Sequence, residues 1–156
     1  MEAGSASGTP HPRWILLPLL LMAACVVVTE NVTHEERGAG YPGYKIEYVS
    51  AVAEPGTLLT SGTPVRFEVT VRYTLQAAET GRIVLTFRSE RDVDLVPTSE
   101  VAQAIQRGRT ETATLSQELM IPPGIRELTV RIPVVPEGIR SPVGALRLRY
   151  PVASAR

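Results

Sequence analysis

Cysteine, histidine and tryptophan are all scarce in this 156-residue chain, and where they stand is informative. Cys25 is the only cysteine, so no disulfide can form within the chain. The two histidines, His11 and His34, both precede residue 44, and no histidine or cysteine follows it. This excludes Ser-His-Asp and Cys-His catalytic sites from residues 44–156 and argues against zinc there. No phosphate-binding or dinucleotide-binding glycine motif is present either. We therefore expect a protein that is not an enzyme and holds no cofactor.

An excess of charge of either sign is also missing. Sixteen basic residues balance sixteen acidic ones, which leaves no basic footprint for nucleic acid. Lys45 is the only lysine, so nearly all the basic residues are arginines. This bias is typical of a GC-rich genome and favours a bacterial source.

The longest apolar run extends from Trp14 to Val28 and follows directly on Arg13. As a helix it would reach only about 22 Å, against roughly 30 Å for the hydrocarbon core of a bilayer, and Pro18 interrupts it. A positive residue, a ten-residue apolar stretch over 15–24 and small residues at its end fit a secretory signal better. The pattern predicts export to, or across, a membrane.

The end of this run, Met22-Ala23-Ala24-Cys25, resembles the lipobox of bacterial lipoproteins. The resemblance implies that Cys25 is lipidated and becomes the new N-terminus. Two alternatives stay open, namely an uncleaved signal anchor that acts as a transmembrane helix and a plain cleaved signal. We expect the rest of the chain to lie on the extracytoplasmic side, with the N-terminal segment as its contact with the membrane.

Composition divides the chain into four parts. Residues 1–28 form the signal or anchor, and the polar, glycine-containing residues 29–43 predict a flexible linker. Residues 44–151 predict one folded domain, and residues 152–156 a short tail.

Within 44–151 the dominant pattern is alternation of apolar and polar residues. Val65 to Leu75 alternates over eleven residues, with the odd-numbered positions apolar, which predicts a half-buried strand. Other strands follow from apolar positions spaced by two: Ile83, Leu85 and Phe87; Ala113, Leu115, Leu119 and Ile121; Leu128, Val130 and Ile132; Leu146, Leu148 and Tyr150. Ser99 to Arg107 is the exception, because its apolar spacing predicts one or two helical turns, or a loop.

Short strands separated by Pro-Gly and Ser-Gly turns predict an all-β antiparallel sandwich. Residues 44–151 resemble a bacterial immunoglobulin-like or fibronectin type III-like domain of exported proteins. The resemblance lies in Glu54–Leu59, Gly62–Val71, Gly81–Leu85, Pro136–Gly138 and Arg149–Val152. It implies seven strands, A to G, in two sheets, without the Cys-Trp-Cys core of antibody domains, and it implies no particular activity.

The sequence offers two candidate binding sites. Glu90, Asp92 and Asp94 could offer oxygen ligands to Ca²⁺. Outward arginines could form a basic stripe for anionic glycans or lipids, or could simply pair with nearby glutamates. These arginines are Arg66, Arg72, Arg82, Arg88, Arg126, Arg131, Arg147 and Arg149.

The sequence thus predicts a non-catalytic, envelope-anchored protein with one Ig-like binding or structural domain. We expect this protein to have a protein partner in the cell envelope. A single-pass accessory subunit of a membrane complex is the first alternative. A calcium- or glycan-dependent surface binding module is the second.

Overall fold

The computed structural model describes residues 30–36, 44–76, 78–95, 101–139 and 142–155. These residues form nine strands and no helix. In chain order the strands are β1 (Val32–Glu36), β2 (Tyr44–Val52), β3 (Leu59–Thr60), β4 (Pro64–Leu75), β5 (Thr80–Ser89), β6 (Val101–Gln106), β7 (Thr110–Met120), β8 (Glu127–Pro136) and β9 (Gly144–Ala153). The all-β prediction is therefore confirmed.

The strands form two sheets that pack face to face. The smaller sheet has the order β2-β4-β7, and the larger has the order β1-β9-β8-β5-β6. All of these neighbours are antiparallel, while the two-residue strand β3 pairs parallel with the last part of β9. The predicted antiparallel two-sheet arrangement is thus confirmed.

The core lies between the sheets and follows the predicted alternation. Phe67, Val69, Val71, Tyr73 and Leu75 of β4 are all buried, while the residues between them face solvent or are half-buried. The predicted apolar positions of β5, β7, β8 and β9 are buried as well. An aromatic cluster replaces the missing tryptophan and disulfide: the ring of Phe67 lies 5.2 Å from that of Phe87 and 5.3 Å from that of Tyr150.

The structure corrects the prediction at residues 101–106. This stretch forms strand β6 beside β5, in place of the predicted helical turns or loop. Val101 and Ile105 are four residues apart, a spacing shared by one helix face and one strand face, so the pattern alone could not decide. Pairing with the edge of β5 decides for the strand. Ser99 lies outside the described residues.

The structure also adds a strand where a flexible linker was predicted. Residues 32–36 form β1 along the edge of β9. The predicted count of seven strands is too low, because β1 and the short β3 add two. Strand β9 likewise runs to Ala153, past the predicted domain end at residue 151.

The sandwich has two ends, a top end and a bottom end. The top end carries the start of β2, the connections β4–β5 and β6–β7, and the residues that follow β8. The bottom end carries β3 and its flanking turns, the residues that follow β5, the connection β7–β8 and the residues after β9. The chain therefore crosses between the two sheets twice at the top end, from β4 to β5 and from β6 to β7.

Candidate functional site

A cleft of about 440 Å³ opens at the top end, on the outer face of the larger sheet. Its walls come from the start of β5, the end of β6 and the end of β8, and its rim from the turn after β8. The lining residues are Thr80, Gly81, Arg82, Ala104, Val135, Pro136, Glu137, Gly138 and Ile139. The cleft therefore draws on residues that are far apart in the sequence and adjacent only in the folded sheet.

Backbone hydrogen bonds fix the rim of this cleft. The Glu137 amide donates to the carbonyl of Thr80 over 2.9 Å, and the Ile139 amide donates to that of Pro136 over 3.3 Å. The Thr80 hydroxyl also donates to the Glu137 carboxylate. The turn after β8 is thus tied to the first residue of β5, so the rim belongs to the framework of the sheet.

The neighbouring top connections are joined in the same way. The Arg107 amide donates to the carbonyl of Glu79 over 2.9 Å, and the two side chains form an ion pair. The Gly108 amide donates to the carbonyl of Leu75 over 2.8 Å. The connections β4–β5 and β6–β7 therefore form one linked surface beside the cleft.

The chemistry of the cleft suits binding. Its walls are largely apolar, from Ala104, Val135 and Ile139, and its polar groups are Arg82, Glu137 and Thr80. An apolar cleft with a few placed polar groups is the usual form of a ligand or peptide site. The Thr80 hydroxyl and the Glu137 carboxylate are joined at its rim by their hydrogen bond. Across the described ranges, no group of three or more His, Cys, Asp and Glu side chains could hold a metal ion.

The three predicted calcium ligands, Glu90, Asp92 and Asp94, form no group that could hold a metal ion. Arg88 donates to Asp94 over 2.9 Å and lies 3.0 Å from Asp92, so both aspartates are held by the same guanidinium. The hydrogen bond from Arg88 is the main reason that the pKa of Asp92 lies below its ordinary value. The Glu90 carboxylate instead accepts from the backbone amide of Arg126 over 3.4 Å. The three carboxylates are thus used to fix the turn after β5.

Two of the predicted outward arginines do align on the larger sheet. Arg131 of β8 and Arg147 of β9 are direct cross-strand partners. Each donates its Nε–H to the same Oε2 atom of Glu35 on β1, over 3.0 and 2.9 Å respectively. The side chain of Arg131 is only 12% exposed. These two arginines are therefore neutralised by β1 and do not offer an open basic stripe.

Glu35 is held as a carboxylate by this arrangement. Partial burial disfavours its charged form, but the hydrogen bonds and charges of Arg131 and then Arg147 outweigh the burial. The pKa of Glu35 consequently lies below its ordinary value of 4.5. Two other predicted arginines on the smaller sheet pair at longer distances: Arg66 lies 3.1 Å from Glu68, and Arg72 lies 3.9 Å from Glu47.

The predicted lipidation residue, Cys25, and the apolar run 14–28 lie outside the described residues. No helix in the described part of the chain is long and apolar enough to span a bilayer. The cleft was not predicted, because its lining residues carry no motif. The proline and glycine of Pro136-Glu137-Gly138 marked a turn, and that turn is its rim.

The fold and the cleft define a β-sandwich domain with an open surface site at one end. No protein-family model matches the chain, and a comparison with curated proteins found no match.

Proposed function

We propose that this chain is a non-catalytic, membrane-anchored binding protein that presents one Ig-like domain on the extracytoplasmic side. The observation that carries the proposal is the strand order of the two sheets. Exported Ig-like domains that follow an apolar N-terminal segment usually have a binding or structural role at the cell envelope.

The strand order supports the Ig-like assignment strand by strand. Strands β2, β4 and β7 take the places of A, B and E in one sheet. Strands β9, β8 and β5 take the places of G, F and C in the other. In the constant-type Ig domain the next strand joins the A-B-E sheet. Here β6 pairs with β5 instead, which supports the fibronectin type III-like form of the proposal.

Strand β3 adds a further point of agreement. It follows β2 and pairs parallel with the last residues of β9. A strand that leaves A and runs parallel to G is a common variation in Ig-like sandwiches. Among the described strands β1 alone has no counterpart in this scheme; it pairs with β9 at the edge of the larger sheet.

The binding role is supported by the top-end cleft. Sandwich domains commonly bind through loops at one end, because a rigid scaffold positions them while their sequence is free to vary. In this chain the turn after β8 and the two linked top connections form such a surface. Its apolar walls with Arg82 and Glu137 suit a segment of a protein partner that carries both apolar and charged residues.

Site-specific crosslinking in native membranes tests the proposal. The full chain, tagged after Arg156, would carry a photo-reactive amino acid at Ile139 on the cleft rim. A matched control would carry it at Thr112, which is exposed on the outer face of the smaller sheet. We expect a discrete adduct from Ile139 that disappears when Arg82→Ala is added, and none from Thr112. Equal adducts from both positions, or an adduct indifferent to Arg82→Ala, would count against the cleft as the binding surface.

The first alternative, a single-pass accessory subunit, shares the domain and differs in the anchor. It requires residues 14–28 to be retained as a membrane helix. The mass of the membrane form separates the two, because a retained helix leaves residues 1–24 in place.

A further inference from the structure

Strand β6 is the last strand of the larger sheet and has one edge that pairs with no other strand among the described residues. Its other edge pairs with β5 along its whole length. After Gln106 the chain leaves this sheet, since Arg107 bridges to Leu75 of β4. The free edge over Val101–Gln106 therefore offers backbone N–H and C=O groups to which a further strand could bond.

The strands at the other three ends of the two sheets, β1, β2 and β7, have features that discourage such pairing. Charged side chains and bulges on an edge strand are common means of preventing strand addition. Here they are a bulge in β2 and charged residues in all three strands: Lys45, Glu47, Glu111, Glu118, Glu35 and Glu36. Strand β6 differs, because its sequence VAQAIQ contains no charged residue, proline or glycine and its pairing with β5 shows no bulge.

The residues of β6 also read almost the same in both directions. About Gln103, Ala102 mirrors Ala104, and Val101 mirrors Ile105. Antiparallel pairing reverses one strand against the other, so a second β6 centred on Gln103 would place like residues opposite one another. Opposite residues would then also face the same side of the joined sheet. The free edge of β6 is thus complementary to itself.

The observed facing of the side chains agrees with this register. Ile105 is 2% exposed in the core, and Val101 is half-buried against the same core. Their pairing would continue the inner face of the sheet with two β-branched residues, a favourable cross-strand pair. Ala102 and Ala104 are exposed on the outer face and are small enough to leave the edge accessible. The two Gln103 side chains could exchange amide hydrogen bonds at the centre.

The geometry points to a second copy of this chain as the occupant of the β6 edge: two copies pair antiparallel through β6, centred on Gln103, and join their larger sheets into one. The contact is isologous about a two-fold axis and therefore closes at the dimer. Because Ala104 also lines the top-end cleft, the two clefts would lie on the same outer face, one on each side of the contact. The pairing goes beyond the proposed function and requires neither the anchor nor a ligand in the cleft.

Disulfide crosslinking of the full chain, in whole cells that express it, tests the pairing. Opposite residues of antiparallel strands have Cα atoms about 4.5–5.5 Å apart, within the roughly 4.4–6.8 Å that a disulfide spans. We expect Gln103→Cys to give a dimer under mild oxidation that reductant reverses. Thr112→Cys, at an exposed position of the edge strand β7, is the matched control and should stay monomeric. The parent chain shows any contribution of Cys25.

A second pair of variants tests the register and does not depend on the folding of Gln103→Cys. Ala102→Cys and Ala104→Cys, both at exposed positions, would be expressed together on differently tagged chains. We expect the mixed disulfide to exceed the disulfide of either variant with itself. In this register residue 102 lies opposite residue 104 of the second copy, whereas identical positions are diagonal neighbours about 7–8 Å apart.

Added charge tests whether the edge itself makes the contact. Ala102→Lys with Ala104→Lys, in the Gln103→Cys chain, would place lysines directly opposite one another across the contact, which is unfavourable. We expect most of the dimer to be lost. Ala102→Gln with Ala104→Gln, in the same chain, is the uncharged control and should keep the dimer.

Three results would overturn the pairing: no dimer from folded Gln103→Cys, equal dimers from Gln103→Cys and Thr112→Cys, or a dimer that the two lysines leave unchanged. An adduct of Gln103→Cys with a protein of different mass would show that another protein covers this edge, and would overturn it as well. A mixed disulfide no more abundant than the others would contradict the register. The anchor is judged separately, from the mass of the membrane form, so either idea can fail without the other.

Discussion

At the scale of single residues, the fold depends on which side chains of β4 and β5 point into the core. Val69 is fully buried and Leu85 is 2% exposed, while their neighbours Thr70 and Thr86 face outwards. The hydroxyls of these threonines have partners on the outer faces: Thr70 bonds Thr114 over 3.0 Å, and Thr86 donates to the carbonyl of Arg131 over 3.1 Å. Because strand side chains alternate strictly, each buried position fixes the facing of its neighbours.

Truncating the buried residues should therefore be costly. We expect Leu85→Ala to lower the free energy of unfolding by about 2–5 kcal/mol, and Val69→Ala by less, because it removes fewer buried atoms. The matched controls Thr70→Ser and Thr86→Ser keep their hydroxyls and should change it by less than about 0.5 kcal/mol. Urea unfolding of the four variants measures this. Larger losses for the serine variants than for the alanine variants would show the facing to be inverted.

The close packing around Gly144 in β9 leads to a second prediction. Tyr44, at the start of β2, packs its ring over Gly144, and a Cβ at position 144 would collide with that ring. Gly144→Ala should cost about 1–3 kcal/mol through overpacking. In a Tyr44→Ala background the same change should cost clearly less, because the obstacle is gone. A double-mutant cycle by urea unfolding checks this, and equal costs in both backgrounds would contradict it.

Glu35 should make stability depend on pH in a defined direction. Its pKa is lowered in the folded state, so its contribution is present above the ordinary value of 4.5 and is lost as pH falls through the lower, folded-state value. We expect the parent to be more stable than Glu35→Gln at pH 6 to 7 and the difference to shrink steadily below about pH 4.5. Thermal unfolding of both proteins from pH 3 to 7 measures this. A difference that grows on acidification would refute the assigned ion pairs.

At the scale of elements, β1 joins the domain to its N-terminal segment. It covers the edge of β9 from Gly144 to Leu148 and supplies the counter-charge for Arg131 and Arg147. An uncovered strand edge exposes unpaired backbone groups, and two adjacent guanidinium groups repel each other. Strand β1 therefore both pairs the backbone at the edge of β9 and neutralises the two arginines.

Removing β1 should weaken the domain without unfolding it. A chain that begins at Tyr44 should stay β-rich, soluble and insensitive to reductant. It should also be less stable than one that begins at Glu30 and should lose hydrogen-exchange protection at the edge of β9. Circular dichroism, urea unfolding and amide exchange of the two chains measure this. A mainly helical spectrum for the shorter chain would contradict the fold, and equal protection of β9 in both would contradict the role of β1.

The elements also show what the sequence could and could not predict. Long alternating runs such as Val65–Leu75 predict both the strand and its buried face, because period two over eleven residues has no helical equivalent. Strand β6 was missed since Val101 and Ile105 fit both periods. Strand β1 was missed because its reasons for pairing, the β9 edge and the two arginines, lie about a hundred residues further along the chain.

At the scale of the whole molecule, the two ends differ in what they expose. The top end has a cleft whose rim is tied to the sheet, and the bottom end carries exposed apolar side chains. The cleft could not be predicted from the sequence, because its lining residues from Thr80 to Ile139 meet only through strand pairing. The apolar run 14–28, by contrast, is a local signal and needs no fold to be recognised.

The central claim is that Cys25 anchors this domain in the membrane, and intact-mass measurement of the membrane form tests it most directly. Two or more acyl chains hold a soluble domain at a bilayer almost permanently, because each buried CH₂ contributes about 0.8 kcal/mol. We predict a mass equal to residues 25–156 plus acyl chains for the parent, and an unprocessed chain for Cys25→Ala. A membrane form that retains residues 1–24, or a processed chain without lipid, would contradict the account.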